Sequence, residues 1–400
     1  KNINGNYNFA AGFNALLNNT ASNNIAIGYT SQTANTAGYS NISLGFQTLM
    51  ANTTGYNNTS IGYQSLLNNT TGFNNLGIGN ETLALNTTGH NNIAVGDEVL
   101  YNNTTGIHNI GLGNTVLFSN TTGENNIGFG RLALYSNTTG INNIASGASS
   151  LYYNTIGRNN TASGYYSLYS NTTGSHNTAS GTNSLYSNTT GSMNTGLGYN
   201  TQTGTNLTNA TAIGANASAT TSNSLVLGSI NGVNGATASA NVGIGTTAPN
   251  AALEVKAVNP AAPTNTEGLL IPRINVFPAT NPTAAQHGMQ VFLTTAVGTQ
   301  QPGFYYWDNP TTSWVGIGGS SSTGEDWKLV GNNVTDANHF LGTTNWMSLK
   351  LKASNTLLGV FEPNGSVFFG VNASGSTNNA FAIGYGANSA TSESYAFGSS

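Results

Sequence analysis

The chain of 400 residues contains no cysteine. That excludes disulfides and thiolate metal sites and leaves the compartment open. Charge is nearly as scarce, at 5% of residues, against roughly 25% in ordinary globular proteins. A chain so poor in charge cannot rely on salt bridges and must satisfy its polar groups with backbone and amide hydrogen bonds. The formal net charge is −4 and no basic patch occurs, so no nucleic-acid partner is expected. No run of eighteen apolar residues exists, and no segment reads as a membrane span. Proline is missing from the whole first half: all nine prolines lie at Pro249 or later, and so do all four tryptophans, Trp307, Trp314, Trp327 and Trp346. This double shift places a domain boundary near residue 248. The chain opens at Lys1 without a signal peptide, as a mature secreted protein or a trimmed chain would.

Glycine and asparagine are in excess, and the glycines are periodic. Gly45, Gly62, Gly79, Gly96, Gly113, Gly130, Gly147, Gly164, Gly181 and Gly198 recur every seventeen residues. A second series, Gly38 to Gly191, keeps the same period. Around them runs one sentence, Gly-x-Asn-Asn-Ile-Ala-x-Gly-x-x-Ser-Leu-x-x-Asn-Thr-Thr. A fixed period this short means stacked, near-identical turns. Regular Ile, Leu and Tyr positions argue against disorder. The steps shorten towards Gly214 and Gly228, and a fourteen-residue step returns at Gly370, Gly384 and Gly398.

Within each turn the apolar positions alternate, which is the strand signature. Ile93 and Val95 share one face; Ala94 and Gly96 share the other. The rows of Ile93 and Val95, with the leucines from Leu49 to Leu185, are expected to fill the interior. The small row of Ala94 and Gly96 is expected to face out and pack against another subunit. Asn-Thr-Thr-Gly forms the turn, since Asn and Gly tolerate positive φ, and stacked Asn can build amide ladders. At about 4.8 Å per turn the segment from Gly12 to Gly245 would be a rod of roughly 65–70 Å. The fold class is therefore all-β: a parallel β-roll of about seventeen-residue turns with a small inserted β-hairpin domain. Hairpin strands are expected at 290–293, 303–307, 314–317, 326–329, 349–352 and 367–370.

The segments Thr211-Ala212-Ile213-Gly214 to Leu225-Val226-Leu227-Gly228, and Phe381-Ala382-Ile383-Gly384 to Tyr395-Ala396-Phe397-Gly398, resemble the head repeat of trimeric autotransporter adhesins. Ala217, Ala219 and Ser224 fit that pattern, as do Ala387, Ala390 and Ser394. The resemblance implies a left-handed β-roll, three of which pack into a homotrimer. Asn241-Val242-Gly243-Ile244-Gly245-Thr246-Thr247 with Leu253-Glu254-Val255, and Gly268-Leu269-Leu270-Ile271-Pro272-Arg273, resemble modules of bacterial and phage tail fibres. Asn338-His339-Phe340-Leu341-Gly342-Thr343-Thr344 is similar to a third. Such fibres often continue into a C-terminal chaperone; this chain stops mid-repeat at Ser400, as a cleaved or truncated fibre would.

The residues that could carry chemistry are few. Glu81, Asp97, Glu98 and Glu124 are the acids of the array, and a glycan hydrolase needs two carboxylates of distinct environment facing a groove. Asp97 and Glu98 are adjacent and point to opposite faces of a strand. His90, His108 and His176 fall in the Gly-x-Asn-Asn turn, whole turns apart, without metal-ligand spacing. No cofactor or metal site is expected. Two rows rise above this background. Tyr101, Phe118, Tyr135, Tyr152, Tyr169 and Tyr186 follow the leucines and form an outward aromatic ladder, a contact surface for glycan or neighbouring chain. Ser146, Ser163 and Ser180, with Thr161, Thr178 and Thr195, would put a polar file into the core, where buried hydroxyls need partners.

The sequence thus reads as four segments: a β-roll shaft over 1–248, a small tail-fibre-like β domain over 249–324, a hairpin module over 325–365, and the start of a second roll over 366–400. It reads as a non-enzymatic, extracellular, trimeric fibre or adhesin, carried by a cell, a virion or an injection apparatus, that presents repeated surfaces to a cell-surface glycan or protein receptor. An ice-binding solenoid is the alternative, since Thr53-Thr54 type pairs recur once per turn. A tailspike-like glycan hydrolase comes third.

Overall fold

A computed structural model describes residues 6–257, 261, 269–317, 347–353, 356–375 and 378–398. Among them every regular element is a strand except one 3-10 turn, Ala284–Gln286. The chain divides into two compact units, Lys1–Gly268 and Leu269–Ser400.

The first unit is the predicted solenoid. One fourteen-stranded sheet collects a short strand from each turn, from Phe9–Ala11 to Ser224–Leu227. Neighbours pair parallel, one turn apart in sequence. Ile93 pairs with Ile110 and Thr161 with Thr178, the seventeen-residue step. The step is sixteen at Phe9 with Ile25 and fourteen at Thr211 with Leu225. Backbone bonds join successive turns on every wall: Ile110 N–H donates to Asn126 (2.8 Å), Leu117 to Ala133 (3.0 Å) and Thr121 to Thr138 (3.0 Å). With little charge in it, the roll satisfies its backbone through its own next turn.

Two asparagine ladders run inside. In the first, the Asn86 amide donates to Asn69 (2.7 Å) and Asn103 to Asn86 (2.8 Å), and so on to Asn188. Each amide also donates to the glycine carbonyl three residues on, as Asn86 does to Gly89 at 3.0 Å. In the second, the side-chain oxygen of Asn92 accepts from both the backbone (3.0 Å) and the amide (3.2 Å) of Asn109, whose amide also reaches the Gly123 carbonyl at 2.8 Å. These side chains are fully buried. Isolated amides would be costly there, but each is paired above and below, and such chains polarise cooperatively.

The inside and outside of the strands are the reverse of the expectation. Ala26, Ala94, Ala145, Ala162 and Ala179 are fully buried, while Ile25, Ile27, Ile42, Ile93 and Ile144 are exposed. The leucine row, Leu49 to Leu185, is interior as expected and forms one core with Val99, Val116 and the alanines. The roll is narrow, and leucines from the opposite wall already fill the lumen. Only a small residue fits across from them. A Cβ added at Gly111 or Gly128 would collide with Val99 or Val116 respectively, so bulk on one wall is matched by its absence on the other. The small row is therefore lumen and not an intersubunit face.

Three residues of each standard turn besides the glycine take positive φ. They belong to the rows of Asn91, Glu98 and Leu100, at 57°, 50° and 55°. Asparagine tolerates this region, but leucine and glutamate do not, and each such residue costs on the order of 1 kcal/mol. The leucines accept that cost where the roll bends, because it aims them into the lumen.

The second unit is built from hairpins, as expected. Gln290–Leu293, Gly303–Asp308 and Ser313–Gly316 form an antiparallel meander, with Arg273–Ile274 pairing parallel at its edge. Trp307, Trp314, Tyr305, Val291 and Leu293 are its core. Leu349–Ala353, Thr356–Phe361 and Val367–Phe369 are antiparallel; Phe381–Ile383 and Tyr395–Phe397 then add in parallel at the fourteen-residue step. The expected strand at 326–329, and the fibre-like stretch at 338–344, lie outside the described residues.

Candidate functional site: aromatic ladders on the roll

The six rings of the predicted ladder stack in one register. Centroids are 5.3 Å apart for Tyr101–Phe118, 5.2 Å for Phe118–Tyr135, 5.1 Å for Tyr135–Tyr152, 5.3 Å for Tyr152–Tyr169 and 5.1 Å for Tyr169–Tyr186. The interplanar angles are 12° or less except at Tyr152–Tyr169, where the rings open to 23°. The spacing follows from the rung height, because each ring sits one position after an interior leucine. All six are half-buried. Two further ladders went unpredicted: Phe13, Tyr29, Phe46 and Tyr63 just after the first glycine series, and Tyr39, Tyr56, Phe73 and His90 just after the second. Both were legible as aromatic residues at a fixed offset from glycine.

At its C-terminal end the long ladder widens. Tyr153 packs nearly perpendicular to Tyr152 and Tyr169 (81° and 78°), and Tyr166 likewise to Tyr169 and Tyr186 (77° and 85°). Tyr165 tilts onto Tyr166 with centroids 3.9 Å apart. Burial, and then the hydrogen bond with Tyr153, push the Tyr169 phenol up to about 12. Burial, with Tyr135 and Tyr153 beside it, also raises Tyr152. A folded-state value above the ordinary 10 means that the unfolded chain loses its proton first. The stabilisation is complete below pH 10 and is lost as pH rises towards 12. Thermal melts should therefore fall across pH 10–12 less steeply for Tyr169→Phe than for the parent; parallel curves would show that this phenol is not perturbed.

Ser146, Ser163, Ser180, Thr161 and Thr178 are exposed and Thr195 is half-buried. They belong to the outer strand rows and so are not a core file. Hydroxyls that do lie in the lumen pair with one another, as in Ser65···Thr82 and Ser184···Thr201, both 2.7 Å, whereas the buried hydroxyl of Thr203 has no partner. In each Asn-Thr-Thr the first threonine donates to the next turn, as Thr104 does to Thr121 at 3.1 Å, and the second is exposed.

Both carboxylate oxygens of Asp97 are held, by the amides of Asn80 and Asn114 at 2.9 Å each. His90 stacks on Phe73 with centroids 4.4 Å apart, and His108 meets the Asn91 amide at 3.2 Å. Among the described residues no group of three or more His, Asp or Glu could hold a metal ion, and no helix is long and apolar enough to cross a membrane.

A family model described as a phage tail-like trimerisation region matches residues 243–336. No curated protein and no solved structure matches the chain. The likeness to adhesin heads thus rests on the repeat residues alone. A parallel β-solenoid joined to a region similar to phage tail-like trimerisation regions fits a tail-fibre-like structural protein.

Proposed function

We propose that this chain is the non-enzymatic shaft of an extracellular fibre, that three copies assemble side by side, and that the roll presents attachment surfaces to a cell-surface glycan or protein. The observation that carries the reading is the outer face of the long sheet. Two rows of it are apolar turn after turn: Ile25 and Ile27, Ile42 and Leu44, Ile93 and Val95, Ile110 and Leu112, Ile127 and Phe129. Many of these are more than a third exposed. At about 4.8 Å per strand the stripe from Ile25 to Phe129 runs for roughly 30 Å, a contiguous exposed apolar surface of the kind that marks a protein–protein contact. No charge interrupts those rows. A second and third copy of the chain would cover them, and the trimerisation-region match at 243–336 supports that number. Light scattering at low concentration should give three times the 41.1 kDa chain mass; a stable monomer would sink the assembly.

A further inference from the structure

In an array of near-identical turns, whatever stacking requires is repeated, and whatever is not repeated serves something else. Two tyrosines, Tyr153 and Tyr166, break the repeat, and a third, Tyr165, returns an aromatic to the row of Phe13, Tyr29, Phe46 and Tyr63 after five turns without one. From Asn102 onward the row of Tyr153 otherwise reads Asn102, Ser119, Ser136, Ser170 and Ser187, and before it Ala51, Asn68 and Leu85. Tyr166 stands between Ser149 and Asn183 in its row, and Tyr165 between Ala148 and Thr182 in its own. These three come from two successive turns and three different rows; Tyr153 and Tyr166 pack on the same stretch of ladder, Tyr152 to Tyr186, and Tyr165 packs on Tyr166.

Their geometry differs from that of the ladder in the respect that matters for binding. An interior ring such as Tyr152 has a neighbour stacked on each face, Tyr135 and Tyr169, and offers a ligand only its edge. Tyr153 is perpendicular to Tyr152 and Tyr169. Since the faces of Tyr152 are taken, the edges of the ladder rings must abut one face of Tyr153. Its other face is open, and the residue is 46% exposed. Tyr166 sits against the edges of Tyr169 and Tyr186 in the same way, with Tyr165 (47% exposed) beside it. A flat face set parallel to the rod is thereby opened at Tyr153, with the exposed Tyr165 packed over Tyr166 one turn on. The surroundings are polar and almost uncharged. The outer strand rows of these turns carry Ser146, Thr161, Ser163, Thr178 and Ser180 in place of the isoleucines, and no acid occurs between Glu124 and Glu254.

We propose that Tyr153, Tyr165 and Tyr166, backed by the ladder rings Tyr152, Tyr169 and Tyr186, form a saccharide-binding platform, on which the C–H faces of pyranose rings of a glycan chain stack along the rod. The phenol and strand hydroxyls supply the directional hydrogen bonds that a ring of hydroxyl groups needs, which a purely apolar contact would not. Each open ring contributes modestly, so several must be engaged together. The platform rests on the reading of the roll as an attachment surface and does not depend on the number of copies.

The test replaces each odd tyrosine by a residue the array already uses in that row: Tyr153→Ser, Tyr165→Thr and Tyr166→Asn together. Full-length parent and triple variant are applied to immobilised neutral and acidic glycans. The parent is expected to be retained on a subset, and the variant to bind that subset about tenfold or more weakly, with unchanged melting temperature and unchanged mass by light scattering. Failure of the parent to bind any glycan overturns the platform. So does equal retention of the variant, or a change in its mass, which would make the cluster a subunit contact. Glycan binding by a monomeric parent, lost in the variant, keeps the platform and removes the trimer.

Discussion

Gly96→Ala should be among the most damaging single-methyl changes in the roll. Gly96 has φ of 137°, and a Cβ there would overlap the carbonyl of Gly113 in the next turn. Two penalties add. The backbone conformation is one that L-residues rarely adopt, and the obstacle is backbone, which can yield only by breaking rung hydrogen bonds. Together they should cost at least about 3 kcal/mol. Gly235→Ala is the control. Its φ is 77° but nothing lies within 4 Å of the added methyl, so only the conformational term remains, on the order of 1–2 kcal/mol. Urea titrations of the two variants compare them directly. Equal midpoints would mean that stacking does not constrain the glycine row.

Leu117→Asp should be worse. Leu117 is fully buried between Leu100 and Leu134 in the continuous core, and the lumen holds no cation to meet a carboxylate. Burying it unpaired, or distorting two turns to release it, costs several kcal/mol. Ile93→Asp, on the outer face, should leave the fold intact and weaken association instead. Circular dichroism melts with light scattering separate the cases. A Leu117→Asp protein melting within a degree or two of the parent would overturn the interior assignment, and an Ile93→Asp protein of unchanged mass would mean that the apolar stripe is not the contact between copies.

The solenoid was legible because period is a property of sequence alone. Gly45 to Gly198 set the turn length, and the Asn-Thr-Thr-Gly runs located the corners and their amide ladders. The aromatic register followed from a fixed offset to the leucines. Which strand face is interior was not legible from alternation, which defines two faces without ordering them. Bulk favoured Ile93 and Val95, but the lumen was already occupied by the leucines across it. The pairing of Gly111 with Val99, and of Gly128 with Val116, carried the answer as compensating volumes. The bend that turns Leu100 inward was hidden for another reason: leucine at positive φ is a conformation that no propensity anticipates. The polar file of Ser146, Ser163 and Ser180 inherited the face error. The tyrosine cluster was not legible from the period, since Tyr153 and Tyr166 are exceptions to it.

The way the turns are joined also sets how the roll carries load. Its rung hydrogen bonds point along the axis, so tension on the rod acts on successive turns in series, and the weakest turn yields first. Each seventeen-residue turn that peels away exchanges a rise of about 4.8 Å for roughly 55 Å of extended chain. A single roll is therefore stiff against compression and bending but lengthens stepwise under pull. Lateral neighbours covering the outer face would have to be stripped with each turn, and side-by-side assembly becomes a source of tensile strength as well as of shape.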